Sequence, residues 1–95
     1  MSAVMKFLVF WKLQPEAVIR IGPESAKMLF SLQDYAKELR EQGKLERHYH
    51  VVGEHGGVWI LNVVSNEELE RLIAKMPIYN FATYDIYPLT EMGTQ

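Results

Sequence analysis

The 95-residue chain has no cysteine, which excludes disulfides, thiolate metal sites and a thiol nucleophile. A cytoplasmic protein is the expectation that fits best. There is no excess of positive charge. Ten Lys and Arg stand against twelve Asp and Glu, a net charge of −2, so a nucleic-acid backbone is not an expected partner. There is no long apolar run. The stretch over residues 7–11 is far too short to span a membrane, and no small-residue cleavage site follows it. No linker or low-complexity segment interrupts the chain, so residues 1–95 are expected to form one domain. What is present is apolar: 48% of residues are hydrophobic and 12% aromatic. In so small a domain, that composition leaves apolar surface to be covered, which points to a homodimer or a higher homo-oligomer.

Residues 5–13, MKFLVFWKL, read as a strand that ends before Pro15. Its middle is apolar at every position, the pattern of a strand covered on both faces. One face can be met by helices; the other needs a second sheet, a partner subunit or an apolar pocket. Residues 14–24 form a connector, with a helical turn over 16–21. A helix is predicted over 23–42, its stripe being Met28, Leu29, Leu32, Tyr35, Ala36 and Leu39, with Gly43 as its stop. A hairpin follows: a strand at 44–52, a Gly-rich loop at 53–57 and a strand at 58–64. Ser65 and Glu68 make a capping box that opens a second helix burying Leu69, Leu72 and Ile73, and Met76-Pro77 ends it. A last strand covers 81–89. The order β-α-β-β-α-β is the ferredoxin-like α+β arrangement, with a four-stranded antiparallel sheet.

Several stretches then resemble one family. SNEELERLIAKMPIYNFATYDIYPL over residues 65–89 is similar to the C-terminal half of muconolactone δ-isomerases. The opening strand ending in Lys12-Leu13-Gln14-Pro15, the helix ending AKELREQG over 36–43, and the spacing from Gly43 to Gly53 are similar too. The resemblance implies a dimeric α+β barrel, in which two four-stranded sheets pack face to face, with further assembly into rings of dimers. It also implies a small enzyme that needs no redox cofactor. The polar lining departs from the family pattern. Leu8 and Phe10 stand where the family has His and Lys on the first strand, and Asn62 stands where an Asp is usual. These changes disfavour a small carboxylate and suggest a larger or more aromatic ligand.

Plain strand alternation sorts the side chains between the two faces. It sends Phe7, Val9, Trp11, Leu45, Tyr49, Trp59 and Leu61 toward the helices, with Arg47 as a misfit on that side. It sends Phe10, Lys12, His48, His50, Ile60, Asn62, Thr83, Asp85 and Tyr87 to the opposite face, a mixture of apolar walls and polar groups suited to a small-molecule pocket. Shifting a double bond in an unsaturated lactone needs a general acid/base near neutral pKa and a stabilised enolate. On that expectation His50 and Asp85 form the acid/base pair, with His48 behind them. Phe10, Lys12, Ile60, Asn62, Thr83 and Tyr87 bind the substrate. His48-x-His50, with Glu46 and His55 nearby in sequence, is a weak metal pattern, and neither metal nor cofactor is expected. Two other readings stand beside isomerisation or cyclisation of a lactone-like or polyketide-like ligand. One is a cofactor-free monooxygenase of the same barrel type, acting on aromatic substrates. The other is a binding or structural module without turnover. RNA binding through this topology is disfavoured, because GGVWILNVV over 56–64 lacks stacking aromatics and basic residues.

Overall fold

The computed structural model describes residues 4–93. Its elements are β1 (Met5–Leu13), α1 (Pro15–Ile21), α2 (Ser25–Glu41), β2 (Leu45–His50), β3 (Gly56–Val63), α3 (Asn66–Ala74) and β4 (Ala82–Leu89), with 3-10 turns at Gly22–Glu24 and Tyr79–Phe81. The strands form one antiparallel sheet in the order β2-β3-β1-β4, the ferredoxin-like topology. One face is covered by α2 and α3; the other carries no element among the described residues.

Local chemistry accounts for most of the boundaries. Pro15 occupies the first turn of α1, where its missing N–H leaves no bond unmade, so the connector folds into a complete short helix. Gly22, at a φ of 50°, turns the chain out of α1, and its N–H donates to the Val18 carbonyl. The predicted helix start at Pro23 is in fact a 3-10 turn, and α2 begins at Ser25. Gly43, at a φ of 76°, follows α2 in the left-handed region that favours glycine. Ser65 caps α3 as expected, its Oγ accepting from the Glu68 amide at 3.0 Å. The return bond lands one residue earlier than the usual box: the Glu68 carboxylate accepts from the Val64 amide at 2.9 Å. That carboxylate also pairs with Lys44 Nζ at 3.1 Å, tying α3 to the start of β2. The hydrogen bond from Val64 and then the one from Lys44 hold its pKa below the usual carboxylate range.

Gly56 and Gly57 belong to β3 and not to the hairpin loop. A Cβ on Gly56 would run into the Trp11 carbonyl oxygen. One on Gly57 would stand 2.6 Å from the Tyr49 carbonyl oxygen and 3.1 Å from Trp11 Cζ2. The pair is glycine because backbone and indole approach closely there.

The core lies between the sheet and the helices. Val9, Leu61, Val63 and Ile78 are fully enclosed, joined by Phe7, Trp11, Trp59, the α2 residues Leu32, Ala36 and Leu39, and the α3 residues Leu69, Leu72 and Ile73. Tyr35 ties the two long helices together by donating its hydroxyl to the Leu72 carbonyl at 2.6 Å. Burial, then Glu38, pushes its pKa up to about 12, so the phenol stays a donor.

A bulge in β2 overturns the expected sorting of the histidines. Leu45 faces Leu61 on β3, but Arg47, not Glu46, faces Ile60, so two residues of β2 oppose one of β3. Beyond that point every side chain falls on the face opposite to plain alternation. His48 pairs with Trp59 and His50 with Gly57, on the helix side, while Arg47 and Tyr49 pair with Ile60 and Val58 and take the open face. Glu46, the extra residue, also takes the open face, where it binds Lys6 at 3.0 Å and accepts from Asn62 Nδ2 at 3.2 Å. The physical reason is charge. Glu46 and Arg47 are successive long ionic side chains, and plain alternation would turn Arg47 into the core.

Candidate functional site

The bulge creates a site that plain alternation does not reveal. Between α2 and the β2 side of the sheet lies a cleft of about 710 Å³. Its walls are Met28, Leu29, Leu32 and Ala36 from α2, Val18 and Ile21 from α1, and the tryptophans Trp11 and Trp59 from the sheet. All three histidines of the chain, His48, His50 and His55, line it. Ser25, Gln33 and the indoles of Trp11 and Trp59 carry further side-chain donors. Among the described residues, no Asp, Glu, Lys or Arg is part of the lining.

The cleft exists because the α2 stripe does not bury evenly. Leu32, Ala36 and Leu39 are buried, while Leu29, one turn earlier, remains 45% exposed. The first turns of α2 therefore wall a cavity instead of closing the core. At the other side, β2 is an edge strand whose His48 and His50 are exposed, so the histidines can be reached from solvent.

His48 is held by its neighbours. Its ring lies 6.2 Å from that of Trp59, which lies 6.1 Å from Tyr35, giving a tilted aromatic row that runs under α2. Burial first, and then the Arg40 charge, lower the His48 pKa from its ordinary value of 6.5. The imidazole is therefore neutral at physiological pH and able to accept a proton. His55 is in the hairpin loop, and its carbonyl accepts from the Leu13 amide at 2.8 Å. Lys12 Nζ pairs with Glu54 at 3.1 Å and ties the same loop to β1.

The residues expected to act together are thus split between two faces. His48 and His50 enter the cleft. Asp85, which sits opposite Phe10 on β1, lies across the sheet from them. Phe10, Lys12, Ile60, Asn62, Thr83 and Tyr87 do share a face with Asp85, as their register requires. That face is open and has no helix over it. Lys12 pairs with Glu54 and not with Asp85. Asn62 is engaged with Glu46, whose pKa is lowered by its hydrogen bonds to Lys6 and then Asn62. No three of His, Cys, Asp or Glu form a metal-holding group among the described residues.

Trp11, Trp59, Met28, Leu29 and His55 are cleft residues that strand alternation and the helix stripe assigned to frame or loop. The available signal was Glu46-Arg47. Two adjacent ionic residues inside a strand with one face toward the core call for a bulge.

A family model described as muconolactone delta-isomerase matches residues 5–94. The chain belongs to that family. A muconolactone delta-isomerase of Rhodococcus opacus is 30% identical over 60 residues, which covers 63% of this chain and 64% of the relative, under two thirds of its length. The crystal structure of a muconolactone isomerase superposes with a TM-score of 0.76 at 14% identity, covering 96% of this chain and 94% of that one. A 5-chloro-2-hydroxyhydroquinone dehydrochlorinase from Burkholderia phenoliruptrix, in complex with 2,5-dihydroxybenzoquinone, superposes with a TM-score of 0.67 at 18% identity, covering 90% and 94%. These likenesses establish the ferredoxin-like α+β fold that the family shares. No helix among the described residues is long and apolar enough to cross a membrane.

Proposed function

We propose that this member of the muconolactone isomerase family is a cofactor-independent enzyme that moves a proton on an oxygen-bearing ring held in the α2 cleft. One observation carries the reading: every histidine of the chain lines a single, largely apolar cavity. Family membership adds to it, as does the dehydrochlorinase structure, whose ligand, 2,5-dihydroxybenzoquinone, is an oxygenated ring.

The chemistry follows from the geometry. Neutral His48 takes a proton from a carbon next to a ring carbonyl, and the electron pair moves onto the carbonyl oxygen as an enolate. The imidazolium then returns a proton to a different carbon of the conjugated system, and the double bond has moved. His50, two residues along on the same face, is placed to serve either transfer. A mostly apolar lining strengthens each hydrogen bond to the enolate oxygen. Lactone isomerisation, ring closure and loss of a leaving group all begin with this same first step.

The test is hydrogen exchange on an unsaturated lactone in heavy water, followed by NMR. α-Angelica lactone, whose C3 hydrogens lie next to the carbonyl and whose C5 receives the returned proton, reports both transfers and is the first substrate. Deuterium enters the ring with the wild type and not with His48→Gln. Equal exchange by that variant removes His48 from the mechanism.

The two tryptophans in the same cleft favour a second reading, a cofactor-free monooxygenase acting on an aromatic ring. Oxygen consumption with a hydroxylated naphthalene separates it from proton transfer.

We also place a second copy of the chain on the open face. Leu8, Phe10, Val58 and Ile60 are only half-buried there, and Tyr49 and Tyr87 are more than half exposed. A light-scattering mass of one chain would remove the dimer.

A further inference from the structure

We propose that Trp11 selects the substrate: its indole N–H donates to an oxygen of an uncharged ring seated in the cleft. The inference rests on the cleft being the ligand site of the reading above. Trp11 is 7% exposed and lines the cavity. Its Nε1 is closed off from solvent and has no hydrogen-bond acceptor among the described residues. Buried donors are almost always paired, so an unpaired one beside a cavity marks a place for an acceptor that arrives with a ligand. The neighbouring ring atoms Cε2 and Cζ2 lie 3.2 and 3.1 Å from the Cβ position of Gly57. Gly57 faces His50 on β2. The N–H edge of the indole therefore packs over Gly57 and lies next to the histidine row.

The acceptor belongs to an uncharged molecule. An ionised carboxylate entering the cleft would lose water and find no fixed cation among the described lining residues. Arg40 lies near His48 but is exposed on α2, outside the lining. A carbonyl, lactone or hydroxyl oxygen meets no such penalty and satisfies the open indole. The nitrogen is covered by protein, so its neighbours give way as the ligand enters. Met28, unbranched and half-buried on α2, is the most compliant of the lining side chains.

The test uses the full-length protein and two matched probes, coumarin and coumarin-3-carboxylate, which differ by one charged group. Trp11 is replaced site-specifically by benzothienylalanine, which keeps the ring shape and lacks the N–H. Coumarin is expected to move the Trp11 indole proton downfield in an NMR titration. The replacement is expected to weaken coumarin binding by about three- to tenfold, the size of one neutral hydrogen bond, with the urea midpoint unchanged. The carboxylate is expected to bind at least ten times more weakly than coumarin. Trp11→Phe, which also lacks the donor, repeats the affinity measurement on an independent variant. Coumarin binding equally well to both Trp11 variants overturns the assignment, as does equal or tighter binding of the carboxylate, or no binding of coumarin. Failure of lactone exchange with these binding results intact would overturn the proton-transfer reading and leave Trp11 in place.

Discussion

The two faces of this sheet are built from the same strands and differ in almost every other respect. The helix-covered face holds the core, both tryptophans, His48 and His50, with a cavity of about 710 Å³ where α2 stands off. The open face holds half-buried aliphatic residues, the Lys6–Glu46–Asn62 network and the exposed Asp85. One extra residue in β2 decides which face receives the histidines. Strand position alone therefore does not assign a site. A bulge moves whole sets of side chains while leaving the hydrogen-bonded frame almost unchanged.

The comparison breaks most sharply on catalysis. His48→Gln is expected to lower kcat for lactone exchange by about 10²- to 10⁴-fold, the usual loss when a general base is removed. Asp85→Asn, across the sheet, is expected to stay within about threefold of wild type, an effect under about 1 kcal/mol. A large loss at Asp85 would mean that the two faces act together, as they could if a second copy brought its own open face to the site.

Adjacent residues on β3 give the next contrast. Trp59 is 4% exposed and stacks on both His48 and Tyr35. Trp59→Ala is expected to cost about 3–5 kcal/mol in urea unfolding at any protein concentration, because it leaves a cavity in the core. Ile60 points the other way. Ile60→Arg is expected to abolish the concentration dependence of the melting temperature, because it places a charge on the face assigned to the second copy. If Ile60→Arg unfolds the protein outright at all concentrations, the open face is not a separable interface.

A smaller effect is read from pH. The His48 pKa is lowered from 6.5, so its neutral form survives below that pH. kcat/KM is expected to hold its plateau to below pH 6.5 and to fall as pH drops through the lowered pKa. The stability linked to the lowered pKa has the same sign. It is present above 6.5 and is lost as pH falls through the folded-state value. Arg40→Gln removes a cation that opposes protonation, so the acid limb moves to higher pH; an unmoved limb would show that His48 does not set it. The smallest effect belongs to the Lys12–Glu54 pair, whose side chains are 49% and 36% exposed. Lys12→Ala is expected to change stability by no more than about 1 kcal/mol, and high salt is expected to remove the difference.

Most of the frame was legible in the order of residues. Ser65 with Glu68, Met76-Pro77, Gly43 and the apolar strands carry their signals locally, and the structure places helix and strand ends within a few residues of them. Pro15 and Gly22 were less legible. Proline reads equally as a break or as a first helical residue, and here it opens α1. Gly56-Gly57 read as a loop, because glycine signals either freedom or close approach. The contact with Trp11 that makes them strand residues comes from β1, more than forty residues earlier.

The site was less legible than the frame, and β2 shows why. LERHYH contains every residue needed to infer a histidine face, yet its period is interrupted where Glu46 and Arg47 both turn outward. By itself the sequence determined the α+β topology, the caps and the membership of the apolar core, since these rest on interactions between residues close along the chain or on burial that any packing would demand. The tertiary structure decided which face the histidines share, that α2 stands off to leave a cleft, and that Trp11 keeps an unmet donor there. Each depends on how β1, β2 and α2 meet, and register across a sheet is set by the partner strand as much as by the strand itself.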